Sequence, residues 1–239
     1  MTVEHAGIYD RNRHLIPAEL RRWGRIAYSL FMQRVVGFPV PSTPHFDEVS
    51  TPFFVERLRN ARTYLEFGSG GSTFLAAELG KNFTTIESDR FFLRSVERKI
   101  VSAGYSIKAP SQRLLAVDIG LTEAWGVPVC RKATPARLPL WRRYFTAPWK
   151  GDPSFFPDLI LVDGRFRVAC SLSTALQLAD RSDWTLLFDD YAGRPHYQAV
   201  EEFLTLSEMV GRMAVFTPKP GVSPDALKCA LETFGSDWR

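Results

Sequence analysis

Six acidic residues stand at the ends of apolar runs in this chain: Glu66, Glu87, Asp118, Asp163, Asp189 and Asp190. Carboxylates so placed can accept hydrogen bonds from hydroxyls, balance a cationic ligand, take up a proton or hold a hard cation. The first of them introduces a glycine-rich turn, YLEFGSGGSTFLAAELG at 64 to 80, in which an apolar run passes into a helix-forming one.

Three ligand classes use a glycine turn between a strand and a helix: nucleotide phosphates, dinucleotides and S-adenosylmethionine. A triphosphate loop closes in Gly-Lys-Ser/Thr, whereas this turn closes in Gly71-Ser72-Thr73 and has no lysine for the phosphates. The dinucleotide fingerprint needs a third glycine where Thr73 stands, because that glycine lets helix and strand pack closely. Glu66 precedes Gly68 by two residues. It would repel a pyrophosphate but suits a ligand carrying an ammonium and a sulfonium. The charge pattern therefore prefers S-adenosylmethionine. Glu87, about 20 residues beyond the turn, is placed to accept both ribose hydroxyls and serves NAD equally well.

A second constellation lies in LILVDGRF and TLLFDDYAGRPHY, which put Asp163 at one strand end and Asp189 and Asp190 at the next. Neighbouring strand ends are roughly 5 Å apart. Three crowded carboxylates need a cation or protonation, and the sharper reading is a magnesium ion on Asp163, Asp189 and Asp190. Such an ion would bind one or two substrate hydroxyls, lower their pKa and fix an oxygen in line with the methyl group. The plainer reading has Asp190 capping the next helix and Asp163 paired with Arg165 or Arg167.

These residues are positioned by alternating elements. Strands are expected at 63–67, 83–88, 114–119, 158–163, 185–190, 212–217 and 227–234, with helices at 73–80, 90–103, 165–180 and 194–209. Apolar rather than alternating strands, separated by helices, predict a mostly parallel sheet covered on both faces, with ligands beyond the carboxyl ends of the strands. An amphipathic helix is expected over 17–36, packing its apolar stripe on the domain or a second subunit, with a membrane surface as the rival. Ser50-Thr51-Pro52 opens another helix.

LEFGSGGST, IESD, AVDIG and LILVDG, in this order and spacing, resemble the Rossmann-like (class I) S-adenosylmethionine-dependent methyltransferases over residues 50–239. The resemblance implies an α/β, mostly parallel seven-stranded sheet with helices on both faces and the last strand antiparallel. It places the cofactor over the first two strands, with Gly68, Ser69 and Gly70 against its methionine and ribose portions, Glu87 on the ribose and Asp118 or Ile119 near adenine. Ser72, Thr73, Ser88 and Asp163 complete the candidate cofactor set with Glu66. FDDYAGRPHYQAVEEF further resembles the metal-dependent O-methyltransferases of the macrocin and catechol kind, in which acids after the fourth and fifth strands hold magnesium. The catechol type has a lysine three residues after the first metal acid and the macrocin type an acid two residues after it. Here Phe166 and Arg165 occupy those positions. The general base is then open, with His196 beside Asp163 as catalytic candidates.

The 239 residues are read as an N-terminal helical extension at 1–49 and a catalytic domain at 50–239, with an insert at 120–157. Within the insert, residues 124–151 hold six basic residues, three tryptophans and no acid, which suits an anionic or sugar-like substrate, single-stranded RNA or a lid packed on the domain. A net charge of +4 makes no case for nucleic acid as a partner. Cys130, Cys170 and Cys229 have neither zinc nor disulfide spacing. No membrane span or signal-peptide core is present, so the cytoplasm is the expected compartment. The expected activity is O-methylation of a small hydroxylated acceptor, anionic or sugar-like, with magnesium assisting and a homodimer as the assembly considered; an NAD-dependent oxidoreductase or a non-catalytic binding protein are the alternatives.

Overall fold

The computed structural model describes residues 17–152 and 154–239, so the polar start at 1–16 lies outside the described residues. Seven strands form one sheet: β1 (Thr63–Phe67), β2 (Asn82–Glu87), β3 (Gln112–Ala116), β4 (Leu159–Val162), β5 (Thr185–Phe188), β6 (Leu204–Val210) and β7 (Met213–Pro218). Their order is β3-β2-β1-β4-β5-β7-β6, and only β7 runs against the others. The chain winds outward from β1 in one direction and from β4 in the other. A crevice must therefore open where the carboxyl ends of these two neighbours meet.

Helices cover both faces. On one, α2 (Ser50–Asn60), α3 (Gly71–Glu78) and α4 (Arg90–Ser102) bring Phe54, Leu58, Phe74 and Ile100 against Tyr64, Leu159, Leu161 and Leu187. On the other, α5 (Leu138–Thr146), α6 (Arg167–Gln177) and α7 (Pro224–Phe234) pack Trp141, Leu172 and Leu227 on Leu65, Ile160, Val162 and Phe188. Leu159–Val162 is buried at every residue, which is why the central strands read as apolar runs.

Two expected elements differ. The segment 227–234, expected as a strand, lies in α7. The Ser223 hydroxyl accepts the Ala226 N–H, Pro224 starts the helix, and Leu227 and Ala230 fall at helical spacing on the core. The expected helix over 194–209 is a short 3-10 helix at Pro195–Glu202 followed by edge strand β6. β6 returns into β7 through a turn at Gly211, with φ of 57°.

The N-terminal helix α1 (Ala18–Phe31) continues into a π-helical turn at Met32–Val36. Its domain-facing side carries Ile26, Ser29 and Gln33, and Gln33 Nε2 donates to Asp89 Oδ2 and Thr122 Oγ1. The apolar stripe of Leu20, Trp23, Phe31 and Val35 is more than half exposed, so it does not pack on the domain as one arm of the expectation had it. Among the described residues, no helix is long and apolar enough to cross a membrane.

Glu66 shares a strand face with Tyr64, so it points beneath the glycine turn rather than out toward a ligand. It is wholly buried and accepts hydrogen bonds from the hydroxyls of Ser72, Thr73 (2.6 Å) and Thr85 (3.0 Å). Thr73, standing where a third glycine was weighed, also accepts the Gly70 N–H at 3.0 Å and so ties the turn to the acid below it. Burial pushes the Glu66 carboxyl up to about 7, against the three hydroxyls. The folded chain thus holds a proton that the unfolded chain releases near pH 4. The stabilising contribution is complete below that pH and is lost as pH rises through about 7. Glu66→Gln is expected to flatten the decline in unfolding free energy between pH 5 and 8 by roughly 2–3 kcal/mol in urea titrations. Parallel curves for parent and variant would contradict this.

Candidate active site

A cavity of about 740 Å³ fills the crevice beyond β1 and β4, within the usual range for small-ligand sites. Its floor is the turn Gly68–Ser72, one wall is Glu87, Ser88 and Asp89, and the other is Asp163, Gly164 and Arg165. Trp125 and Gly126 come from the insert, while Phe38, Pro39 and His45 come from the segment after α1. Gly68 has φ of 99°, and a Cβ there would lie 2.7 Å from the Gly164 nitrogen. The left-handed backbone and the close approach of β4 both require glycine.

Glu87 ends β2 and is almost buried, with four donors on its two oxygens. Oε2 accepts the Ser69 N–H (3.0 Å) and hydroxyl (2.8 Å), and Oε1 accepts the Asp89 N–H (2.8 Å) and the Ser88 hydroxyl (3.2 Å). Burial raises its pKa and these bonds lower it. A carboxylate has about four acceptor positions, so the set is full. Two of the donors are backbone groups fixed by the fold. The other two are hydroxyls on rotatable side chains, which a ligand diol can replace.

Of the candidate cofactor residues, Gly68, Ser69, Gly70, Ser72, Glu87, Ser88 and Asp163 line this cavity. Glu66 and Thr73 lie beneath its floor. Asp118 and Ile119, beyond the end of β3, are not among the residues that line it. The Asp118 carboxylate accepts the Gly120 N–H in an exposed turn, and Ile119 is buried with its carbonyl accepting Trp141 Nε1.

His196 corrects another expectation. It is exposed at the start of the 3-10 helix, packs on the Tyr197 ring and lies outside the cavity lining, so it is not placed to serve as the base.

The three aspartates do converge, but on arginines. Arg212 donates to both oxygens of Asp189 at 3.0 Å and pairs with Asp190 at 3.2 Å. Arg194 holds Asp190 at 2.7 Å. Arg167, almost wholly buried, donates to Asp163 Oδ1 at 3.1 Å and to the carbonyls of Asp163, Gly164 and Asp189. Three negative charges thus meet three guanidinium groups, with charge-assisted bonds on the oxygens that a metal would need. Among the described residues, no group of three His, Cys, Asp or Glu side chains is arranged to hold a metal ion. The donor set does not fit magnesium.

Asp163 keeps about a third of its side chain open to the cavity. Burial raises its pKa above the ordinary aspartate range. Arg167 opposes the rise, and Asp189 and Asp190 add to it.

Arg165, Trp125 and His45 line the cavity without any spacing in the sequence that marks them as site residues, and Tyr144 of the insert joins them. Trp125 has φ of 64° and is 77% exposed at the tip of a loop folded over Glu87 and Ser88, where a Cβ on Gly126 would come 2.7 Å from the Ser88 hydroxyl. A non-glycine residue held at positive φ beside a cavity marks a built feature, but nothing in the local sequence announces it. The basic side chains of the insert do not line the cavity, and Trp141 and Tyr144 are buried against α6.

No family model and no curated protein matches the chain. Among solved structures, a methyltransferase-like protein from Silicibacter pomeroyi is 34% identical, with a TM-score of 0.69 over 82% of this chain and 100% of that one. More distant likenesses are the O-methyltransferase TomG from Streptomyces achromogenes, solved with S-adenosylmethionine (16% identity, TM-score 0.43, 84% of this chain and 99% of that one), and the Podospora anserina methyltransferase PaMTH1, bound to S-adenosylhomocysteine (13%, 0.41, 92% and 97%). The sheet order, the glycine turn after β1 and the 34% identical relative agree: the chain belongs to the Rossmann-like, class I S-adenosylmethionine-dependent methyltransferases.

Proposed function

We propose that the chain methylates an oxygen of a small hydroxylated acceptor, without a bound metal. The observation that supports the cofactor in this reading is Glu87, two of whose partners are side-chain hydroxyls that a ribose diol could replace. When bound, S-adenosylmethionine supplies an electrophilic methyl group on a sulfonium. The Gly68–Gly70 turn would lie against its methionine and ribose portions, and Ser72 stands at the first turn of α3. Asp163 faces the same space from β4. Arg167 holds its Oδ1, and no described residue donates a hydrogen bond to its Oδ2. That oxygen is placed to take the proton of an acceptor hydroxyl as the oxygen becomes a nucleophile. The raised proton affinity of Asp163 suits it to that work. Arg167 fixes the carboxylate and also balances the charge when it is ionised. Positioning and water exclusion then supply much of the acceleration.

Calorimetry with S-adenosylhomocysteine and, separately, NADH tests the cofactor. The parent is expected to bind S-adenosylhomocysteine and not NADH, and Glu87→Gln to weaken it by about tenfold or more, since one acceptor oxygen of the diol site is lost. Binding of NADH alone would overturn the reading in favour of an oxidoreductase.

With a labelled methyl donor and a panel of hydroxylated metabolites, transfer is expected to persist in excess chelator and to fall by about 10²-fold or more in Asp163→Asn. The rate should rise with pH through an apparent pKa above the ~3.9 of an ordinary aspartate, because the ionised form is the base. Transfer that requires magnesium, or that survives in Asp163→Asn, would contradict this mechanism.

A further inference from the structure

Four guanidinium groups line the cavity, and three are matched to acids. Arg167 pairs with Asp163 and Asp190, Arg194 with Asp190, and Arg212 with Asp189 and Asp190. Arg165 is the exception. Among the described residues it makes no ion pair, and its Nε is buried without a hydrogen-bond partner. Burial and the neighbouring Arg167 disfavour its charge, while Asp163 nearby favours it without forming an ion pair. Yet a guanidinium stays protonated in proteins, so the cost of desolvating it without a partner falls on the empty site.

We propose that Arg165 receives an anionic group, a carboxylate or phosphate, carried by the acceptor beside the hydroxyl that is methylated. This rests on the methyltransferase reading above. A planar guanidinium grips either anion through paired N–H donors, and the contact is stronger in a desolvated wall than in water. Its place on the β4 wall puts the anion near Asp163, so one contact orients the hydroxyl toward the base. Gly126 lies opposite, where a Cβ would stand in ordinary contact with the aliphatic stem of Arg165, 3.8 Å from Cγ. The cofactor carries a carboxylate of its own, but the N–H groups at the first turn of α3 already offer it a site.

Calorimetric titration of the protein saturated with S-adenosylhomocysteine, using phenyl phosphate, benzoate and neutral benzyl alcohol, tests this. The parent is expected to prefer the two anions over the alcohol by about tenfold or more, the worth of one charge-assisted contact. Arg165→Gln should lose that preference while holding S-adenosylhomocysteine as the parent does, and Arg165→Lys should keep part of it. An absence of preference in the parent, or its survival in Arg165→Gln, overturns the proposal. If Arg165→Gln weakens S-adenosylhomocysteine but not 5′-methylthioadenosine, which lacks the amino-acid carboxylate, the arginine serves the cofactor and the acceptor assignment falls. Failure of the parent to bind S-adenosylhomocysteine would strike the methyltransferase reading, whereas the anion titration of the unliganded protein would still report on Arg165.

Discussion

Parallel strands that fan out in two directions from β1 and β4 deliver their carboxyl-terminal acids into one crevice, and those like charges must be accommodated before the chain can fold around them. Each acid has its own solution. Glu66 goes under the turn, keeps its proton near neutrality and takes three hydroxyls. Glu87 fills its acceptor positions with two N–H groups and two hydroxyls. Asp163, Asp189 and Asp190 are matched by Arg167, Arg194 and Arg212. The chemistry follows from which of these solutions a ligand can displace.

Glu66 and Glu87 illustrate the difference. Both lie near the ends of neighbouring strands and both are buried, but the partners of Glu66 are Ser72 and Thr73 under the turn and Thr85 of β2, so displacing them would loosen the turn itself. The partners of Glu87 include two side-chain hydroxyls facing the cavity, which can rotate away and leave a diol-shaped gap. Asp163 differs again, because one oxygen is anchored by Arg167 and the other faces open space. With the arginine lattice already balancing the aspartates, a metal has no charge to neutralise. In the proposed reaction the acceptor hydroxyl falls to the Asp163 carboxylate, and in the further proposal an anionic group of the acceptor falls to Arg165.

Much of this was legible in the chain itself. The central strands are short apolar runs, and the spacing of Gly68, Glu87 and Asp163 survives as three edges of one cavity. The pairs Asp163 with Arg167 and Asp190 with Arg194 fall at i,i+4, so two of the three arginine contacts were present as local spacing, in competition with the magnesium reading. Arg212 was not accessible in that way. It reaches Asp189 only because β7 inserts antiparallel beside β5. The swap of strand and helix over 194–234 has a similar origin. LKCALETF is apolar enough for either state, and the deciding signals are the Ser223 cap and the Gly211 turn, which lie outside the apolar runs. Glu66 misled because its sequence position is ligand-like, whereas the period-two alternation of β1 turns its side chain to the opposite side.

A crystal structure of the complex with S-adenosylhomocysteine, grown with excess magnesium, tests the central claim most directly. The account predicts the ribose diol on Glu87, the Ser69 and Ser88 hydroxyls turned aside, and Arg167, Arg194 and Arg212 still on their aspartates with no metal among them. A ribose bound elsewhere, or magnesium seated on Asp163, Asp189 and Asp190 with the guanidinium groups displaced, would contradict it.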